Sequence, residues 1–158
     1  FSIDDKASTL VFGNPDAPMQ VTIFGNPYCN PCAELHKKLH IFEGYEIGIR
    51  YIFTSFRPEY NNINKYLIAA YQQFGKELAA DIYNKWYEGG KTEKEKFFEN
   101  YNLDIESESV LREFNHHQQW IKSSRLSSTP TTIVNGHLLP NEYKIEDLIY
   151  FIDKTTKL

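Results

Sequence analysis

Two cysteines stand three residues apart in Cys29-Asn30-Pro31-Cys32, with a β-rich run, Val21 to Phe24, leading into them and a helical pattern leading out. That pattern, AELHKKLHIF, places Leu35, Leu39 and Phe42 at helical spacing, with Gly44 set to stop it. The pair therefore sits at a strand-to-helix junction. Unpaired backbone N–H groups and the positive end of the helix dipole there stabilise a thiolate at the first sulfur, while the second lies one turn in, within disulfide reach. Only the thiolate attacks, so Cys29 is the expected nucleophile and Cys32 the thiol that resolves a mixed disulfide. Pro31 fits the first helical turn, where its missing N–H costs nothing.

A chain of 158 residues with 41% hydrophobic and 24% charged residues is long and apolar enough to bury a single core without covalent staples. Two cysteines are too few for a disulfide scaffold, and their closeness suits chemistry rather than architecture. Seventeen Lys and Arg against 21 Asp and Glu give a net charge of −4, which leaves no basic footprint for nucleic acid and no polybasic anchor for anionic lipid. No apolar run approaches the ~18 residues a membrane span needs. The chain opens at Phe1 without an initiator Met or a signal segment, as a processed protein or a piece of a longer one would.

Ahead of the cysteines, Thr9 to Phe12 and Val21 to Phe24 read as strands separated by the turn formers Asn14-Pro15-Asp16-Ala17-Pro18. Glu46 to Ser55 reads as a third strand. Residues 61–124 then change to helical periodicity. Leu67, Ala70, Tyr71 and Phe74, continued by Leu78, Ile82, Tyr83 and Trp86, end at Gly89-Gly90. Thr92 to Glu95 matches a capping box for a short helix through Phe97, Phe98 and Tyr101. Val110, Leu111, Phe114, Trp120 and Ile121 predict another helix, begun near Glu106 or Ser107. Strand character returns at Thr131 to Asn135, with a turn at Asn135-Gly136, a run His137-Leu138-Leu139 and a closing helix from Ile145 to Lys154. Without repeats or low-complexity tracts, residues 1–158 read as one α/β domain carrying a helical insertion.

A structural zinc site competes for the same cysteines. Cys29, Cys32, His36 and His40 form C-x2-C-x3-H-x3-H, the last three on one helical face. Zinc fingers, however, place ~12 residues between the Cys pair and the His pair so that a loop wraps the metal. His36 and His40 then belong to a solvated basic face with Lys37 and Lys38, and His116-His117 to a polar helix surface. Tyr28 has two open readings, a partner-facing apolar patch beside Cys29 or ordinary core packing. Trp86 and Trp120 are assigned to packing.

FGNPDAP before the core strand, YCNPC at the turn, the helical insertion, and STPTTIVNG before a terminal helix together resemble the thioredoxin-like superfamily. The resemblance is to its DsbA-like members with a helical insertion, including domains fused to membrane proteins similar to vitamin K epoxide reductase. It implies a thioredoxin-like fold, a central mixed sheet flanked by helices. It also implies that Pro130 is a cis-proline facing the active-site disulfide and that Thr129 contacts substrate backbone. Two departures stand out: Ile23 occupies the position where many relatives have a buried acid, and Asn30-Pro31 is neither the Gly-Pro of thioredoxins nor the Pro-His of DsbA.

The implied activity is thiol–disulfide exchange with polypeptide cysteines, in the oxidising direction, using the Cys29–Cys32 disulfide and no separate cofactor or metal. A membrane quinone-linked reoxidant of the vitamin K epoxide reductase type is the implied redox partner, and an extracytoplasmic compartment, a bacterial periplasm, the implied location. The alternatives are a reductase or isomerase of the same fold, and a non-catalytic binding module whose CxxC is structural or binds metal. The dipeptide does not set the direction, because couples of this kind span about −270 to −120 mV.

Overall fold

The computed structural model describes residues 1–154. Its sheet is built from β1 (Val11–Gly13), β2 (Met19–Gly25), β3 (Ile47–Phe53), β4 (Thr131–Val134) and β5 (His137–Leu138), in the order β1-β3-β2-β4-β5. β2 and β3 run parallel and every other pairing is antiparallel. A parallel neighbour requires a crossover, which α1 (Asn30–Lys38) and a 3-10 turn (Leu39–Phe42) supply. The remaining helices, α2 (Asn61–Phe74), α3 (Lys76–Glu88) and α4 (Glu108–Ser124), form the insertion between β3 and β4, joined by 3-10 segments at Gly90–Thr92 and Lys94–Phe98. No helix among the described residues is long and apolar enough to cross a membrane.

The central strands bury both faces, so they read as near-continuous apolar runs. Val21, Ile23, Ile49, Tyr51 and Phe53 point into the main core with Leu67, Tyr83 and Trp86 of the insertion. Phe24 and Ile52 point the other way, where Ala7, Trp120, Ile121 and Leu126 cover them. The hairpin between β4 and β5 turns at Asn135 (φ 48°) and Gly136 (φ 85°), the two positive φ values a tight two-residue turn demands.

Several local expectations are corrected. The helical pattern across residues 67–86 is not continuous: Gly75 (φ 86°, ψ 163°) breaks it into α2 and α3, a backbone state open essentially to glycine. The break shifts the phase, so Ala79 is buried while Leu78 is 44% exposed. Thr92 does not cap a helix; its hydroxyl donates to the Gly89 carbonyl at 2.8 Å, and Phe97 and Phe98 follow in a 3-10 segment. The closing helix is a 3-10 segment, Ile145–Phe151, with Tyr150 and Phe151 exposed. The start of the last long helix agrees with expectation, since Ser107 accepts from the Val110 amide at 3.2 Å.

The largest correction is His117. Its ring is wholly buried rather than on a polar surface, because the N-terminal segment, β3 and α4 meet there. Its Nδ1 accepts from the Phe53 amide at 3.2 Å, so Nε2 holds the hydrogen shared between Glu113 Oε2 at 2.8 Å and Ser8 Oγ at 3.1 Å. Ser8 Oγ donates to the Tyr51 carbonyl at 2.6 Å and accepts from Leu10. The second carboxylate function of Glu113 is to receive Thr9, through its amide and its hydroxyl, both at 2.9 Å. These bonds hold Ser8 and Thr9 out of β1, which therefore starts at Val11 and not at Thr9.

Burial alone would raise the Glu113 carboxyl, but the hydrogen bond and field of His117 and the two donors of Thr9 outweigh it and lower it below the ordinary 4.5. A carboxyl lowered by folding stabilises fully above its unfolded value and loses that contribution as pH falls through the folded one. Glu113→Gln is therefore expected to destabilise the neutral protein by about 2 kcal/mol. In urea titrations the gap to wild type should narrow as pH is lowered from about 6 to about 3.

Candidate active site

β2 ends at Gly25 and the chain turns sharply through Asn26-Pro27-Tyr28. The Asn26 side chain accepts from the Tyr28 amide at 2.9 Å and its carbonyl from the Cys29 amide at 3.0 Å, an Asx-type turn that delivers Cys29 to the start of α1. Cys29 is the cap residue itself, and its Sγ accepts from the Cys32 amide at 3.2 Å. Such a bond strengthens as the sulfur gains charge. Pro31 lies in the first turn of α1, where no N–H is missed.

Both cysteines are free thiols of unequal access: Cys29 is half-buried and Cys32 buried. Burial pushes the Cys32 thiol up to about 12, against a smaller opposing effect of the Asn26 amide, whose N–H lies 3.5 Å from Cys32 Sγ. The pair thus consists of one sulfur at the surface on an amide and one in the core that keeps its proton.

Thr129 and Pro130 reach this site through the sheet. Antiparallel pairing of β4 with β2 sets Thr131 opposite Phe24, so the residues just before β4 lie beside those just after β2. The Thr129-Pro130 peptide bond is cis, and the Cys29 thiol points at the Thr129 carbonyl at 3.7 Å. Residues a hundred positions apart in sequence meet here.

Tyr28 lies against Tyr60, with ring centroids 4.2 Å apart and planes tilted by 38°, and meets the edge of Trp86 at 5.5 Å. Burial first, then Tyr60 and Glu95, push its phenol up to about 12. Trp86 donates its indole N–H to the Pro27 carbonyl at 2.9 Å and is itself wholly buried. Its assignment to packing therefore omits a second role, which is to anchor the active-site turn to the insertion.

Lys91, in the 3-10 segment that follows α3, donates to the Asn30 side chain. Neither Lys91 nor Asn26 was marked by motif. Asn26-Pro27 directly after a strand is a turn signature that points to the second, whereas nothing local points to Lys91.

The zinc constellation is not assembled. His36 places Nδ1 2.5 Å from the Tyr51 hydroxyl and Nε2 2.6 Å from Asn84 Oδ1, and His40, in the 3-10 turn, bonds back to the Lys37 carbonyl at the end of α1. Among the described residues no three of His, Cys, Asp and Glu gather for a metal ion. His36 also departs from the solvated face expected for it: burial lowers its pKa, and only His40, Lys37 and Lys38 remain exposed.

A family described as thioredoxin matches residues 5–154. No curated protein sequence matches. Among solved structures, the chain is similar to a thioredoxin-like oxidoreductase from Silicibacter pomeroyi, with TM-score 0.74, 16% identity, and 94% of this chain and 95% of that one covered. It is also similar to the thiol-disulfide exchange protein alpha-DsbA2 from Wolbachia pipientis, with TM-score 0.70 and 15% identity over 89% and 83% of the two chains. Oxidised BdbD from Bacillus subtilis gives TM-score 0.68 and 16% identity over 94% and 92%. With the family match spanning nearly the whole chain and these structures sharing its architecture, the chain belongs to the thioredoxin family.

Proposed function

We propose that this protein is a thiol–disulfide oxidoreductase that oxidises cysteines of polypeptides through the Cys29–Cys32 couple. The observation that carries the reading is the asymmetry of the pair. Cys29 caps α1 at the surface with its sulfur on the Cys32 amide, and Cys32 waits behind it, buried and protonated. A sulfur so placed is a nucleophile and leaving group, and a buried thiol three residues on is a resolving group.

The cycle balances without another cofactor. A substrate thiolate attacks Cys29 of the disulfide, Cys32 leaves and takes a proton, and a second substrate thiolate then attacks the mixed disulfide and expels Cys29. Two electrons pass to the protein. Substrate backbone pairs beside Thr129 in this reading, where the carbonyl lies 3.7 Å from the sulfur under attack. Asn30, Pro31 and Tyr28 shape the surface around Cys29.

The Cys32 amide donates to Cys29 Sγ in the reduced pair, and a reduced state stabilised by such a bond makes a stronger oxidant. That supports the oxidising direction. A couple in that role must be reoxidised, which suits an extracytoplasmic compartment such as a bacterial periplasm and a quinone-linked membrane partner of the vitamin K epoxide reductase type. The thiol-disulfide exchange described for the similar Wolbachia pipientis protein supports the reaction class.

Equilibration with glutathione is expected to give a potential nearer about −120 mV than about −270 mV, whereas a value at the lower end makes the protein a reductase. Trapping tests the chemistry itself. Cys32→Ser should accumulate mixed disulfides at Cys29 with unfolded thiol proteins, and Cys29→Ser should lower exchange by several orders of magnitude. A Cys32→Ser protein that traps nothing would reduce the chain to a binding module.

A further inference from the structure

Cys29 is bracketed by two hydrogen bonds that come from one stretch of the insertion. Trp86, near the end of α3, donates to the Pro27 carbonyl at 2.9 Å, two residues before the cysteine. Lys91, in the 3-10 segment that follows, donates to Asn30 Oδ1 at 2.5 Å, on the residue directly after it. The stretch between the two donors is held tightly. A Cβ on Gly90 would overlap the Phe97 ring, and that ring meets the Trp86 indole edge-on with centroids 5.6 Å apart. The Gly89 carbonyl receives both the amide of Thr92, at 3.1 Å, and its hydroxyl, at 2.8 Å. Lys91 therefore stands on a braced turn that shares its footing with the indole.

The ammonium it presents is an uncompensated charge. Its partner is a neutral amide oxygen, and among the described residues it forms no ion pair, with its sequence neighbours Glu88 and Glu93 or with any other acid. The first turn of α1 carries no acidic residue. Three acids of adjoining segments are engaged elsewhere: Glu34 with Lys37 at 3.3 Å, Glu59 with Arg57 at 3.8 Å, and Glu95 with Asn62 Nδ2 at 3.4 Å. An ammonium has three donors, of which Asn30 occupies one.

This charge lies within reach of whatever is joined to Cys29. Consecutive Cα atoms are about 3.8 Å apart, which with the lengths of the two side chains keeps the ammonium within about 13 Å of Cys29 Sγ. A polypeptide attached to that sulfur extends by about 3.3 to 3.6 Å per residue, so an Asp or Glu one or two positions from its cysteine brings a carboxylate to Lys91.

We propose that Lys91 selects among polypeptide substrates by charge, favouring cysteines with an Asp or Glu close by in sequence, whose carboxylate takes the donors that Asn30 leaves. The proposal rests on the oxidoreductase reading above, names a substrate class for it, and adds no covalent step. The net charge of −4 on the whole chain opposes acidic partners at a distance, so the preference is local, made by one ammonium held beside the reacting sulfur. Held on Asn30, the lysine has already lost much of the freedom that a loose surface lysine gives up on binding, and less of the ion-pair attraction is offset by ordering.

The test uses three unstructured dithiol peptides that differ only in having Asp, Asn or Lys beside each cysteine. Each is mixed with an excess of the oxidised protein, quenched in acid at intervals, and analysed by mass spectrometry for the peptide disulfide. The quantity read is the rate for the Asp peptide divided by that for the Lys peptide, compared between protein variants, which cancels each peptide's own thiol reactivity. Lys91→Gln keeps a donor for Asn30 and removes the charge, and is expected to lower this ratio about 3- to 10-fold at low salt. Lys91→Glu should lower it further and Lys91→Arg should hold it near the wild-type value. The wild-type ratio should itself fall toward that of Lys91→Gln in about 1 M salt, where the screening length is about 3 Å.

Equal ratios in wild type and Lys91→Gln overturn the proposal. That includes a variant that slows all three peptides alike, as loss of the Asn30 contact alone would do. A wild-type protein that oxidises none of the peptides overturns the exchange reading itself, and the selection with it.

Discussion

The register between β2 and β4 governs what this site can be. Because Phe24 stands opposite Thr131, the carbonyl of Thr129 arrives beside the first residue of α1. A slip of one residue would turn every side chain of β4 to the other face, bury Thr132 in place of Ile133, and carry Thr129 away from Cys29. Register in turn is held by core pairings on both faces of β2, and by the Asn135-Gly136 turn that closes the β4–β5 hairpin. The site is therefore no stronger than the sheet's alternation, and the alternation is strong because both faces are covered.

The second constraint is polar. Glu113, His117, Ser8 and Thr9 join the N-terminal segment, β3 and α4 by bonds that leave no member unpaired. A buried network of this kind adds little net stability over an apolar core when complete, but it is expensive to leave half made. Its effect is to admit one arrangement of α4 over the sheet. The same economy holds where Tyr51, His36 and Asn84 satisfy one another between β3, α1 and α3.

Much of this was legible in the sequence, and the exceptions share a cause. Strands were readable because apolar residues cluster into short β-branched and aromatic runs, and the site because CxxC lies between a strand and a helix. Val110, Phe114 and Ile121 marked α4, but the same periodicity cannot tell which polar residue on the boundary of an apolar stripe turns inward. His117 and His36 are both such boundary residues, and each is drawn inward by partners far off in sequence: Ser8 is 109 residues from His117, and Asn84 is 48 from His36. Gly75 escaped for another reason. A glycine within a helical pattern is tolerated as often as it breaks, and only the packing of α2 against α3 decides between them.

The indole of Trp86 ties these observations to the architecture. It stacks on Phe98, meets Phe97 edge-on, and holds the Pro27 carbonyl two residues before Cys29. The insertion is thus a foundation for the redox turn and cannot be excised as a removable module. A minimal version of the fold, trimmed to the sheet and α1, would keep both sulfurs and lose the rigid footing that aims them. A longer or shorter helical segment keeps the redox turn aimed only where it leaves the footing of Trp86 untouched.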